Sequence, residues 1–201
     1  MSSHTIDTKK KILEAAWQLL EAGGGAGVRM SDIAKAAGIS RQAVYLHYPN
    51  RADLLMATTR YLDEVKNVDM RLAASRAATS GRERLDAFIE AWGNYIPEIY
   101  GVGKALMAMQ DSDDEARRAW DDRMRAVRDG CAAAVSAIKA DGDLADGLTS
   151  DNGTDLLWML LSVRNWEHLR HQCGWSQKDY ISGITALARN ALLKPKAFAS
   201  Y

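Results

Sequence analysis

Four side chains with recognition chemistry fall between residues 41 and 47: Arg41, Gln42, Tyr45 and His47. Arginine and glutamine carry paired hydrogen-bonding groups that match the major-groove edges of guanine and adenine. Tyrosine and histidine donate to phosphate oxygens, as do backbone N–H groups at a helix start. A second cluster, Glu167, His168, His171 and Cys173, has metal-ligand types. The i, i+3 spacing sets both histidines on one side of a helix. No fourth ligand is suitably spaced, Arg170 sits among them, and helix C-termini attract histidine through the dipole. No metal is expected there.

The elements that would carry the first cluster lie between Met30 and Tyr48, MSDIAKAAGISRQAVYLHY. Ser31 is placed to cap a short helix, and Asp32 puts negative charge in its first turn. Ile33, Ala34 and Ala37 supply an apolar face. Gly38 stands where that helix must stop and the chain must turn. Ser40 can cap the next helix, with Val44 and Tyr48 four apart on its inner face. Small Ala34, turning Gly38 and apolar Val44 give the spacing of a helix-turn-helix. Arg41, Gln42, Tyr45 and His47 then lie on the outer face. A solvated helical hairpin in an all-α protein would read similarly.

Composition sets the frame. The chain has 201 residues, 47% of them hydrophobic, with only 3 Pro. No segment alternates like a strand for long, so an all-α fold is expected. The 26 basic and 26 acidic residues cancel. They are not evenly spread: residues 1–60 hold eight Lys and Arg against five Asp and Glu, and the rest carries the opposite balance. A mildly basic end on an acidic body suits a reader of particular sites better than a general coater of DNA. Cys131 and Cys173 have no metal or redox spacing and read as idle thiols of a reducing, cytoplasmic compartment. MSSHTIDTKKK lacks the apolar core of a signal peptide, and the apolar run Leu156 to Leu161 is far too short to span a membrane. No association with a membrane is expected.

The first helix should begin near Asp7 or Thr8, with Ile12, Ala16, Leu19 and Leu20 on one face. Gly23, Gly24, Gly25 and Gly27 follow. With no strand before them and no GK[ST] after, they read as a helix stop and flexible connection, not a phosphate loop. Pro49-Asn50 is a turn. Arg51 opens a fourth helix carrying Leu54, Leu55, Thr58, Leu62 and Val65.

From about Thr8 to Leu62 the chain resembles the DNA-binding domain of the tetracycline-repressor (TetR) family. The resemblance rests on Ile12-Leu13 with Ala15-Ala16, Asp32-Ile33-Ala34 with Ala37-Gly38-Ile39-Ser40, Val44-Tyr45-Leu46-His47-Tyr48, and Arg51 with Leu54-Leu55. It implies that Tyr45 and His47 contact phosphates, Tyr45 also a thymine methyl, and that Arg41 and Gln42 read bases. It implies backbone anchors at Ser31, Ser40 and Arg51. Gly24-Gly25 stand where the family often has an aromatic, Met30 where it often has Thr, and Gln42 where Gly or Pro is common. These departures bear on the operator sequence and on the stiffness of the loop.

Beyond residue 68 the pattern is helical. Leu85, Phe88, Ile89, Trp92 and Ile96 share a face of a helix from Arg84, which Pro97, Gly101 and Gly103 should kink or end. Leu106, Met107 and Met109 would form a short segment. Ser112 or Asp113 can cap a helix running to about Ala140, followed by a loop to Gly147. Two helices, from about Asp151 to His171 and Gln177 to Leu193, close the chain, with Ser176 as cap. Their apolar faces are broader than one antiparallel pair buries.

The expected architecture is therefore a three-helix helix-turn-helix DNA-binding domain at 1–50, a linking helix at 51–68, and a helical effector-binding and dimerisation domain at 69–201. The resemblance implies a homodimer through the last two helices on a palindromic double-stranded operator, and a cavity for a small-molecule effector. Trp92, Tyr95, Ile99, Tyr100, Met107, Trp120, Met124 and Trp158 are its candidate lining, which suits an apolar or aromatic ligand. Such a protein is a ligand-responsive transcriptional repressor. A DNA-binding regulator without effector, controlled by a protein partner, is the alternative. No nucleophile elbow, HExxH or dinucleotide fingerprint is present, so neither enzymatic activity nor a cofactor is expected.

Overall fold

The computed structural model describes residues 3–23 and 28–195. The Gly24, Gly25 and Gly27 connection lies outside them. The described chain is all-α: α1 (Ser3–Ala22), α2 (Met30–Ala36), α3 (Arg41–His47), α4 (Arg51–Val65), α5 (Val68–Arg71), α6 (Ala73–Ala77), α7 (Gly81–Met109), α8 (Asp114–Ala140), α9 (Ser150–Leu160), α10 (Val163–Glu167) and α11 (Gln177–Leu192). A π-helical turn, His168–Gln172, follows α10. Among the described residues the β pairing is a single bridge, Leu144 to Leu193.

The chain forms two compact units. Of the described residues, the first holds 3–23, 28–67 and 99–125, the second 68–98 and 126–195. In the first, Ile12, Ala16 and Leu20 of α1 meet Ile33 and Ala34 of α2, Val44 of α3, and Leu54, Leu55 and Leu62 of α4. Val102, Leu106, Ala116 and Ala119 complete the same cluster. Burying such side chains stabilises by about 1.5–3 kcal/mol for each large aliphatic one. Helix α1 starts at Ser3, earlier than Asp7 or Thr8. The reason is visible on its surface: Asp7 pairs with Lys11 at 2.9 Å, an i, i+4 ion pair that supports the opening turns from inside the helix. Helix α4 stops at Val65, and Asn67 takes a left-handed φ of 54° before two short helices that the sequence pattern did not announce.

A ladder of ions runs along α4 within this unit. Arg51 bonds Asp113, Arg60 bonds Asp122 at 2.8 Å, and Asp63 receives Arg123, which also holds Asp122 at 2.8 Å. Burial acts to raise the Asp122 carboxyl, but the Arg60 and Arg123 guanidinium groups outweigh it and hold the carboxyl below its ordinary value.

Helix α7, whose residues 81–98 belong to the second unit and 99–109 to the first, does not end at Pro97. The helix runs unbroken from Gly81 to Met109, with Leu106, Met107 and Met109 as its last turns. A proline removes the N–H that would reach the carbonyl four residues back, here Gly93. That carbonyl accepts a hydrogen bond from Gln177 Nε2 at 2.8 Å, while Gln177 Oε1 accepts from Trp166 Nε1 at 3.0 Å. A partner on α11 thus compensates the break that the local sequence implies. The expected single helix from Asp151 to His171 is split instead. Leu161 closes α9, and Ser162 turns extended and caps α10 through Asn165 N at 3.2 Å. The Leu161 carbonyl, freed at this break, takes the Trp92 indole N–H at 2.8 Å. The caps at Asp113 and Ser176 stand as expected, the latter as a capping box with Asp179.

Gln177→Ala should lower stability by about 1–2 kcal/mol, and less in a Pro97→Ala background, where residue 97 regains the donor for Gly93. A denaturation double-mutant cycle reads this coupling; identical losses in both backgrounds would remove it. The depressed Asp122 carboxyl contributes stability above its unfolded value near ~4, and that contribution fades as pH falls toward the folded value. Asp122→Asn should therefore flatten the acid limb of a stability–pH curve and lower its neutral plateau.

Candidate nucleic-acid interface

The turn between α2 and α3 is built by three local devices. Gly38 adopts φ 68°, a left-handed conformation that strains a residue with a Cβ. Its N–H bonds Lys35 O at 3.2 Å and the Ile39 N–H bonds Ala34 O at 3.0 Å, which closes α2. Ser40 Oγ then accepts the Ala43 N–H at 3.1 Å and opens α3. Val44 is fully buried, so the opposite side of α3 must face outward. Ser31 does not cap α2. The helix already begins at Met30, and Asp32 reaches back to the Arg29 N–H at 3.4 Å, leaving Ser31 exposed in the first turn.

On the outward side Arg41, Gln42, Tyr45 and Leu46 are all exposed, Leu46 by 81%. Arg41 Nη2 donates to the Tyr45 hydroxyl at 3.2 Å, and its guanidinium lies 5.5 Å from the ring centroid. That hydrogen bond raises the pKa of Arg41. The pair forms a pre-set fork of cationic and phenolic donors. Ser31, Arg41, Tyr45 and Arg51 line one groove of about 660 Å³, joined there by Arg29, Asn50, Asp113 and Glu115. His47 lines a neighbouring groove with Tyr48, Asp53, Arg60 and Tyr61. Gln42 and Ser40 lie on the exposed surface of α3 and its cap.

Arg51 is placed differently from the others. Its side chain is only 13% exposed. Nη1 bonds both Asp113 oxygens, at 3.0 and 2.7 Å, and approaches Glu115 at 3.4 Å, while Nε donates to the Val28 carbonyl. Burial works to raise the Asp113 carboxyl. The Ala116 N–H, Arg51 and the Glu115 N–H oppose burial, and the carboxyl stays below its ordinary value.

The family model for bacterial regulatory proteins of the tetR family matches residues 12–58. The HTH-type transcriptional regulator CymR of Pseudomonas putida is 26% identical over 81% of this chain and 79% of its own. BetI of Rhizobium meliloti is 31% identical over 55% of each chain. A transcriptional regulator from Saccharomonospora viridis, solved in complex with choline, superposes with a TM-score of 0.72 at 21% identity, over 94% of this chain and 99% of that one. Residues 12–58 thus form a domain like the N-terminal one of tetR-family bacterial regulatory proteins. The relatives it matches are named HTH-type transcriptional regulators.

The eight candidate effector residues divide between the compact units. Ile99, Tyr100, Met107, Trp120 and Met124 lie in the first, and Trp92, Tyr95 and Trp158 in the second. Tyr95 and Met107 are buried and the other six are half-buried. Trp92 meets Tyr95 edge-on at 5.9 Å, and the Arg71 guanidinium lies 5.5 Å from the Tyr95 ring centroid. The Lys104 ammonium lies 5.8 Å from that of Tyr100. His168 pairs with Gln172 at 2.7 Å and His171 meets the Trp166 ring edge-on, so these histidines are engaged in the π-helical turn and its neighbours. No helix among the described residues is long and apolar enough to cross a membrane. Two features of the interface escape a reading of the motif. Leu46 gives no chemical signal until its exposure is known, and Asp113 lies far along the chain from the residue it holds. Ser40→Ala should lower stability by about 1 kcal/mol, by orphaning the first turn of α3, as measured by chemical denaturation.

Proposed function

We propose that this chain is a cytoplasmic, homodimeric repressor that binds a palindromic operator and is released by a small apolar or aromatic effector. The observation that carries the DNA-reading half is the outward row of α3: Arg41, Gln42, Tyr45 and Leu46 stand exposed on a helix whose inner side is locked in a core. Arg41 and Gln42 read base edges from the major groove, and Leu46 meets thymine methyl groups. Tyr45, His47, Ser31 and Ser40 fix the phosphate backbone, whereas Arg51, in the same groove, is engaged by Asp113. Residues 1–50 serve as the reading head, 51–68 as the link, and 69–201 as the effector and dimerisation region.

The dimer reading is supported by α9 and α11, which pack on each other and leave Leu156, Met159 and Leu187 exposed by 37%, 51% and 52%. Two copies joined there would present their α3 helices to half-sites one DNA turn apart, about 34–36 Å, or a multiple of it. The effector reading is supported by the aromatic and thioether side chains of α7 and α8, and by the choline in the S. viridis regulator of the same fold. An effector relieves repression by binding the DNA-incompetent form more tightly.

Gln42→Ala should change the preference between operator variants by about 1–3 kcal/mol, while Tyr45→Phe should weaken binding to all duplexes alike. Fluorescence anisotropy on a panel of inverted repeats and random duplex separates the two. Equal losses on operator and random DNA for Gln42→Ala would take it out of the base-reading role.

A further inference from the structure

The DNA-facing groove contains an arginine that another part of the chain already holds. Arg51 lines it together with Ser31, Arg41 and Tyr45, yet its guanidinium points to Asp113 and Glu115 at the start of α8. Only 13% of its side chain is exposed, whereas Arg41 in the same groove is open to solvent. Asp113 is fixed in turn, because its Oδ1 accepts the Glu115 and Ala116 N–H groups at 3.1 Å each. The carboxylate is therefore a helix cap that cannot swing away without opening the first turn of α8.

We propose that Asp113 is a positioning residue for DNA binding, which holds Arg51 off the phosphate backbone so that Arg51 reaches DNA only when this ion pair is released. This deepens the reading of α3 as a DNA-binding helix and rests on it. A phosphate oxygen and the Asp113 carboxylate, both of whose oxygens meet Arg51 Nη1, compete for the same charged donor, and the charge-assisted bond goes to whichever anion is aligned. In the conformation described here the aligned anion is Asp113. The start of α8 thereby controls one phosphate contact of the head, and the groove carries two carboxylates where a general DNA binder would carry none.

The test is a salt titration of binding to a random-sequence duplex, with full-length wild type, Asp113→Asn, Arg51→Ala and the double variant. Asparagine retains the capping oxygen and removes the charge. Releasing Arg51 adds one phosphate contact, so Asp113→Asn should steepen the slope of log K against log salt by about one. Between 50 and 200 mM salt that is a further roughly 3- to 4-fold loss of affinity. Arg51→Ala alone should leave the wild-type slope in place, and the double variant should return to it. An unchanged slope in Asp113→Asn overturns the proposal. So does a shift of equal size with and without Arg51, which would mean that only a nearby negative charge was removed. If Asp113→Asn does not fold, as judged by far-ultraviolet circular dichroism, Asp113→Ser, which also caps, takes its place. Absence of salt-dependent binding in every variant, wild type included, would instead overturn the DNA-reading role of α3. The proposal would fall with it.

Discussion

Helix α4 is held on two sides by different forces, and the reading head depends on both. Leu54, Leu55 and Leu62 tie it to the core that also contains α1, α2 and α3. Arg51, Arg60 and Asp63 tie it to Asp113, Asp122 and Arg123 of the segment that begins α8. The apolar contacts are non-directional and tolerate small shifts; the ion pairs are directional and fix register. The half-buried Arg123–Asp63 and Arg51–Asp113 pairs feel less solvent screening than a surface pair such as Arg76–Asp69. The position of α3 above this core is thus set jointly by packing within residues 12–62 and by charges brought from residues 113–123.

Local chemistry made the head legible in the sequence. Gly38 needed a left-handed turn, Ser40 needed a helix to cap, and Val44 needed a core, and each found it. The Gly38 and Ser40 signals act within a few residues, so no distant partner overrules them. Ser31 failed as a cap for a similar local reason: Asp32 reaches the Arg29 N–H from inside the helix, so the cap position falls at Arg29, two residues earlier.

Where the sequence misled, a partner distant along the chain decided. Pro97 reads as a helix end because the lost hydrogen bond is visible locally, whereas Gln177, which satisfies the Gly93 carbonyl, is not. The split at Leu161 is the converse case. Nothing in Asp151 to His171 demands a break, but Ser162 offers a cap and Trp92 an indole donor for the carbonyl that the break exposes. Backbone groups are satisfied as a whole-chain account, and a local reading sees only one side of it. The site behaves the same way. Arg41 and Tyr45 are paired by their own i, i+4 spacing, but Arg51 is directed by a carboxylate 62 positions away.

That last contrast bears on how a chain of zero net charge can be a DNA reader. Non-specific affinity grows with each phosphate neutralised, whereas specificity is the ratio of operator to random binding. An arginine matched to an internal carboxylate adds little to the first term while its partner holds it. In the proposed reading Arg41 and Gln42, exposed on α3, contribute to the second. The acidic residues of the first unit therefore do more than balance a ledger of charge. Asp113 and Glu115 line the groove that also holds Arg29, Arg41 and Arg51, and in the proposed reading their charge shifts the head from general attraction toward selection by base edges.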